Sequence, residues 1–278
     1  MSPLSNDSSE WIRHISDALW KNIGHEQFVS LNRENSPVPT AVLLLIAPQR
    51  DESGPCLILN KRSRKVRQPG DICCPGGSIS PRIDSFIGKL LTLPGGAMTH
   101  GESCRSLWQK QYPAEARSLA ILLATALRES FEEMRLNPFG VRFLGPLQPQ
   151  QLQMFRRVIY PMAAWVHKQK RFRPNWEVEK VIRIPLRDLI RPDYYARYRL
   201  RFAPGLEEKF RRKAQDFPCF RYPHQGEYEL LWGATYRIVT AFLQAVLGFE
   251  PPDMAALPVI YGVMDGNYLR GVRSEVRG

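Results

Sequence analysis

No stretch of this 278-residue chain approaches the roughly 18 consecutive apolar residues of a membrane span. Its start, Met1 to Glu10, is polar and lacks the apolar core of a secretory leader. A cytoplasmic protein with no membrane partner is expected. Cysteine is sparse: there are five, an odd number, with Cys73 and Cys74 adjacent and no Cys-x-x-Cys pair. That pattern suits neither a disulfide framework nor a zinc site, so five reduced thiols are expected. Acidic residues are short as well, with 27 Asp and Glu against 39 Lys and Arg for a net charge of +12. A balance this basic implies that something negative is bound or approached. No clear internal repeat is present. With 44% hydrophobic residues, the chain can bury a sizeable core, as one enlarged domain or as a domain with appendages.

Against this shortage of acids stands Arg128-Glu129-Ser130-Phe131-Glu132-Glu133. At helical spacing its three carboxylates share one face, while Ala120, Ala124, Leu127, Phe131 and Met134 form an apolar stripe on the other. Hard divalent cations such as Mg2+ take oxygen ligands, and carboxylates at i, i+3 and i+4 can share one or two such ions that also grip phosphate oxygens. A plain solvated acidic face is the competing reading.

Upstream, Leu57-Ile58-Leu59-Asn60-Lys61-Arg62-Ser63 reads as a strand running into a basic loop, followed by Gln68-Pro69-Gly70-Asp71-Ile72-Cys73-Cys74-Pro75-Gly76-Gly77. The order of strand, Arg-Ser, Pro-Gly-x-Ile-x-x-Pro-Gly-Gly and Arg-Glu-x-x-Glu-Glu resembles the Nudix hydrolases, and within them the branch that cleaves coenzyme A and its relatives. Phe143-Leu144-Gly145-Pro146-Leu147, Val158-Ile159-Tyr160-Pro161, Trp176-Glu177-Val178-Glu179, Ile184-Pro185-Leu186 and Trp232-Gly233-Ala234-Thr235 are similar to segments of that branch. The likeness spans about residues 38 to 248.

The departures fall inside the catalytic box. In the coenzyme A branch an acidic residue follows the second glycine by seven positions, where Asp84 stands, and the Arg comes eight later. Here Arg128 lies 44 residues after Asp84, which leaves 36 extra residues. A second loop inside the insertion, Leu93-Pro94-Gly95-Gly96 through Glu102, resembles the general Nudix loop; counted from it the insertion is 18 residues, with Lys110 where Arg is expected. The first loop is favoured for its strand and Arg-Ser context, and the second stays open. Cys74 replaces the expected Phe before Pro75, and Arg135 replaces the glycine that ends the family's helix. Arg is disfavoured in a left-handed cap by roughly 1 kcal/mol or more, so the helix is expected to end differently, at Asn137-Pro138.

The resemblance implies an α/β (α+β) fold, the Nudix α/β/α sandwich with a mixed β-sheet. It divides the chain into an N-terminal helix and linker (1–37), a Nudix-like domain (38–248) with the insertion at about 85–120, and a C-terminal tail (249–278). Periodicity places helices near 8–24, 85–92 and 114–136 and in 226–248, and a polar turn near 95–103. Strands fall near 40–47, 56–61, 141–147, 156–167 and 177–185, and an irregular basic segment near 186–220. The implied activity is hydrolysis of a pyrophosphate bond in a nucleoside diphosphate conjugate, coenzyme A or a derivative, giving 3',5'-ADP and a 4'-phosphopantetheine product. Glu129, Glu132 and Glu133 would hold Mg2+ or Mn2+, and one of them would help deprotonate the attacking water. Arg128 would orient them. Gly76 and Gly77 would let the loop backbone pass close to metal and phosphate.

Arg62, Arg64 and Arg67, just before the glycine loop, suit a phosphate contact or a soluble hairpin tip equally. Glu177 or Glu179 is a candidate extra base or ligand, against a solvent-facing strand Glu. His100, His167 and His224 have no partner spacing that marks them out. Basic and aromatic residues interleave between Arg187 and Lys213, a composition that can bind nucleic acid, although a solvated basic surface is favoured. Two other readings stay open: a non-catalytic or regulatory Nudix-fold nucleotide-binding protein, and an RNA-processing hydrolase.

Overall fold

The computed structural model describes residues 7–21, 23, 38–49, 54–93, 103–152 and 157–270, without the side chains of 103–105, 209 and 270. Its first half runs α1 (Ser8–Lys21), β1 (Val38–Pro48), β2 (Pro55–Arg62), β3 (Ile72–Cys73), β4 (Gly76–Ser78), α2 (Pro81–Leu91), α3 (Ser103–Gln111) and α4 (Pro113–Met134). It continues with β5 (Val141–Pro146), β6 (Gln150–Leu152), β7 (Arg157–Val166), β8 (Val178–Pro185), α5 (Leu186–Leu189), β9 (Tyr195–Phe202) and α6 (Leu206–Phe210). β10 (Ala214–His224), β11 (Glu227–Trp232), α7 (Gly233–Leu247), β12 (Val259–Met264) and α8 (Gly266–Arg270) complete it.

β1 explains the layering. Its run Ala41-Val42-Leu43-Leu44-Leu45-Ile46 is apolar at every position, the pattern of a strand covered on both faces. Ala41, Leu43 and Leu45 pack with Leu119, Leu122, Leu123 and Ala126 of α4. Val42, Leu44 and Ile46 pack with Ile15 of α1 and with Ile238 and Phe242 of α7. Truncating a fully buried Leu in such a layer costs about 2–5 kcal/mol. The sheet order is β3-β2-β1-β7-β5, with β4 on β1, β6 on β7 and β8 on β2. β1 and β7 run parallel and the other pairs antiparallel. The fold is therefore the expected α/β/α sandwich with a mixed sheet.

The sequence reading needs several corrections. The segment 186–220 is ordered: β9 and β10 join β11 and β12 in a second, four-stranded sheet ordered β11-β10-β9-β12. Alternation conceals it, because Arg197, Arg199 and Arg201 alternate along β9 with Ala196, Leu200 and Phe202, which pack into one small core. The segment read as a tail supplies β12, parallel to β9. Phe131 leaves the apolar stripe and is 45% exposed, whereas Ser130 and Met134 turn inward. α4 also does not run on to Asn137. It stops at Met134 with Arg135 left-handed (φ 56°, ψ 42°), and the Leu136 N–H reaches the Ser130 carbonyl at 3.3 Å. Burial of Leu136, the Arg135 guanidinium 5.0 Å from the Phe131 ring centroid and the Gln169 amide donating to the Arg135 carbonyl at 2.8 Å offset the cost of an Arg there. The second glycine loop, with Gly95, Gly96 and Glu102, lies outside the described residues, as does His100. Cys56, Cys73, Cys74 and Cys219 are free thiols, and no described helix is long and apolar enough to cross a membrane.

Candidate active site

The last turns of α4 meet the first glycine loop. Pro at the start of α2 and the Ser80 backbone set that helix, whose Asp84 is fully buried. Asp84 accepts from the Ser80 N–H at 2.6 Å, the Thr125 hydroxyl at 2.8 Å and Arg128 Nε at 2.7 Å. Burial pushes its carboxyl up, but these donors outweigh burial and hold it below the usual carboxylate range. The 41-residue span between Thr125 and Asp84 is thus closed by direct contact. Close packing makes this possible: a Cβ on Gly88 of α2 would sit 3.2 Å from the backbone of Ala120 in α4.

Arg128 spends the rest of its fork on the same site. Nη2 donates to the Ser78 carbonyl at 3.1 Å, and Nη1 lies 3.0 Å from Glu129 and 3.2 Å from Glu132. Glu132 is the outermost of the three acids, with its side chain 52% exposed. Glu129 faces the loop so closely that a Cβ on Gly77 would overlap its carboxyl carbon, and its pKa is raised by burial against the opposing pull of Arg128. Glu133 is deepest, at 9% exposure, and accepts from Asn60 Nδ2 at 3.0 Å. Burial lifts its pKa to about 7; Asn60 and Arg62 pull it down, and Glu129 and Glu177 push it further up. The mutual repulsion of Glu129, Glu133 and Glu177 is of the kind a cation relieves, and the donors are hard oxygens suited to Mg2+ or Mn2+. Among the described residues no three acids, histidines or cysteines stand close enough to coordinate one ion with their present rotamers, since Glu129 and Glu132 turn toward Arg128.

Beyond the glycine loop lies a cavity of about 470 Å3 between the two sheets, with Gly76 and Gly77 in its wall. Arg62 and Arg67 line it, and Arg64 is exposed on the turn and does not. Arg62 Nε donates to the Arg67 carbonyl at 2.7 Å. Glu179 is exposed and pairs with Lys61 at 3.7 Å, so it lies apart from the acids of α4.

Several contributors carry no sequence signal of their own. Asn60 is a lone polar residue ending the apolar run of β2. Asp71 is largely enclosed and accepts from Trp232 Nε1 at 3.0 Å and the Tyr268 hydroxyl at 2.5 Å. Desolvation raises its pKa to about 6 against these donors and Arg62. These contacts clamp α8 and the second sheet to the loop, helped by the Gln68 N–H on the Tyr268 carbonyl at 2.8 Å.

No protein-family model and no curated protein matches the chain. Solved structures that align with it include a Nudix hydrolase from Alicyclobacillus acidocaldarius at 13% identity, covering 81% of this chain and 99% of that one with a TM-score of 0.40. A Nudix hydrolase from Nitrosomonas europaea aligns at 11% identity over 84% and 81% of the two chains, TM-score 0.40. The Nudix domain of Shewanella oneidensis NrtR, complexed with ADP ribose, aligns at 16% identity over 60% and 87%, TM-score 0.33. Likeness this distant assigns no function, which rests on the residues of the site.

Proposed function

We propose that the protein is a Nudix-type pyrophosphohydrolase that uses a divalent cation to cleave a nucleoside diphosphate conjugate, with coenzyme A or a derivative the first candidate. The observation that carries the reading is the constellation at the end of α4: Asp84 holds Arg128, and Arg128 holds Glu129 and Glu132 beside Gly77. A solvated acidic face has no use for a buried Asp–Arg brace. Glu129 and Glu133, with Glu132 at the rim, would hold Mg2+ or Mn2+, which when bound supplies Lewis-acid polarisation of a phosphoryl oxygen and a more acidic water.

The residues of the chain have distinct parts in this reading. Glu133 is the deepest of the three acids, and one of the three would take the proton of the attacking water. Arg128 is a positioning residue, since its donors point at protein acids. Gly77 leaves Glu129 the room its carboxylate occupies. Arg62 and Arg67 face the cavity where a charged conjugate would lie.

Product analysis tests this: purified protein with Mg2+ or Mn2+ is incubated with coenzyme A, ADP-ribose, dinucleotide polyphosphates, nucleoside triphosphates and capped RNA, with Glu133→Gln as control. Cleavage of a nucleoside diphosphate conjugate by wild type alone is expected. Silence across the panel with both metals would favour a nucleotide-binding protein instead.

A further inference from the structure

No Asp or Glu occurs between Glu133 and Glu177, and the fold brings several cations of that stretch to the C-terminal end of α4, where the negative end of the helix dipole favours them. The segment 167–173 lies along the chain that leaves the helix. Gln169 accepts from the Asn137 N–H at 2.7 Å and donates to the Arg135 carbonyl at 2.8 Å, and the Arg173 N–H donates to the Met134 carbonyl at 3.0 Å. Arg142 joins from β5: the His167 pKa is lowered by partial burial and then by Arg142 and Lys168, which places both cations beside that ring. Arg135, Lys168, Lys170 and Arg171 are exposed and Arg142 partly so. None of these side chains is in an ion pair among the described residues.

Beside these cations stands Phe139, in a single 3-10 turn (Pro138–Gly140) and 98% exposed. The turn is fixed by its backbone. Asn137 Oδ1 accepts from the Phe139 N–H at 3.1 Å, the Gly140 N–H donates to the Asn137 carbonyl at 3.0 Å, and the Gly140 carbonyl accepts from the His167 N–H at 3.0 Å. Buried Leu136 and Phe143 anchor the chain on either side, so the ring is held out in water. Two more exposed aromatics flank the same helix end. Phe131 lies beneath the Arg135 guanidinium, and Trp176 follows Asn175, whose N–H donates to the Glu133 carbonyl at 2.7 Å. Apolar residues scattered singly over a surface need no explanation, but aromatics grouped with unpaired cations have the composition of an interfacial contact.

We propose that this end of the molecule is a peripheral contact for an anionic lipid surface, with the Phe139 ring entering the headgroup layer and Arg135, Arg142, Lys168, Lys170 and Arg171 meeting lipid phosphates. A ring that projects clear of its neighbours suits a bilayer better than a nucleic-acid strand, which takes a groove that tracks its backbone. One ring and a few charges give weak, reversible attachment. Contact of this kind needs no spanning segment; it replaces the expectation of no membrane partner and is independent of the reaction proposed above.

Co-sedimentation of the full chain with vesicles of phosphatidylcholine, and of an equal mixture of phosphatidylcholine and phosphatidylglycerol, tests this at low and high salt. Binding should be confined to the anionic vesicles and be lost as salt screens the charges. Phe139→Ala should weaken it about tenfold, the loss of one ring from the interface. Lys168→Gln and Lys170→Gln should each weaken it about fivefold, and Phe139→Trp should bind at least as well as wild type, because indole favours the interface. All four should melt with wild type, since the replaced side chains are exposed. Arg201→Gln, an exposed charge on β9, is the control and should bind as wild type does. No binding to the anionic vesicles, equal binding to both kinds, or binding intact in Phe139→Ala would overturn the proposal. An equal loss in Arg201→Gln would overturn it in favour of diffuse attraction by net charge. Capture of a single-stranded RNA oligonucleotide, weakened by the same variants and without vesicle binding, would overturn it in favour of a nucleic-acid surface.

Discussion

Asp84 and Arg128, 44 residues apart in the chain, meet at 2.7 Å with the Asp84 side chain wholly buried. This contact joins α2, the glycine loop and the acidic end of α4 despite their separation in the chain. Removing one partner of a buried pair strands the other, at a cost of about 3 kcal/mol. Asp84→Ala should lose about that much in urea unfolding, and activity should fall with it because Glu129 and Glu132 lose their brace. Because donors hold Asp84 below its ordinary range, its stabilisation is present above the unfolded carboxyl pKa and is lost as pH falls through the lower folded one. The gap between wild type and Asp84→Ala should therefore shrink on acidification.

The two loop glycines separate fold from chemistry. A Cβ on Gly77 would overlap only the end of the Glu129 side chain, which can swing away. Gly77→Ala should change stability by less than about 1 kcal/mol and lower kcat/KM by about a hundredfold. A Cβ on Gly76, at φ 148°, would overlap the Ala41 carbonyl of β1. Gly76→Ala should unfold at markedly lower denaturant because backbone must shift. Thermal melts beside steady-state rates distinguish the two.

Glu133 should destabilise the metal-free fold at neutral and higher pH. Its pKa of about 7, above the unfolded carboxyl, means that folding favours the protonated form. Stability is then full below the unfolded pKa and declines as pH rises to about 7. Glu133→Gln, which keeps an acceptor for Asn60, should be more stable than metal-free wild type at pH 8 by up to about 3 kcal/mol, with no difference near pH 4. A variant no more stable at pH 8 would contradict the assigned burial.

The left-handed Arg135 offers a fourth test. Arg135→Gly relieves the backbone at that cap but loses the contact with the Phe131 ring, so the melting temperature should rise only slightly, by a stabilisation of about 0.5 kcal/mol. A large loss would mean that the ring contact outweighs the strain.

The sandwich was legible because it is written in local pattern: the doubly apolar β1, the buried run of β7 and the periodic α4. So were Arg128 and the acids beside it, whose spacing is the signal. The second sheet was not. Its strands are short of apolar runs, and its register joins β9 to β12, which lies more than fifty residues onward. The Asp71 clamp was hidden for the same reason, since Tyr268 reaches it across a sequence separation of 197. Arg64 misled because it shares the charge and neighbourhood of Arg62 and Arg67, and only the turn geometry separates them.

The most direct test of the central claim is mass analysis of products formed from coenzyme A in heavy-oxygen water with Mg2+ or Mn2+. Wild type should release two phosphate-bearing halves, one carrying the label, while Glu133→Gln releases neither. Intact coenzyme A with both metals would contradict the assigned substrate, and label transfer at equal rate by Glu133→Gln would contradict the assigned chemistry.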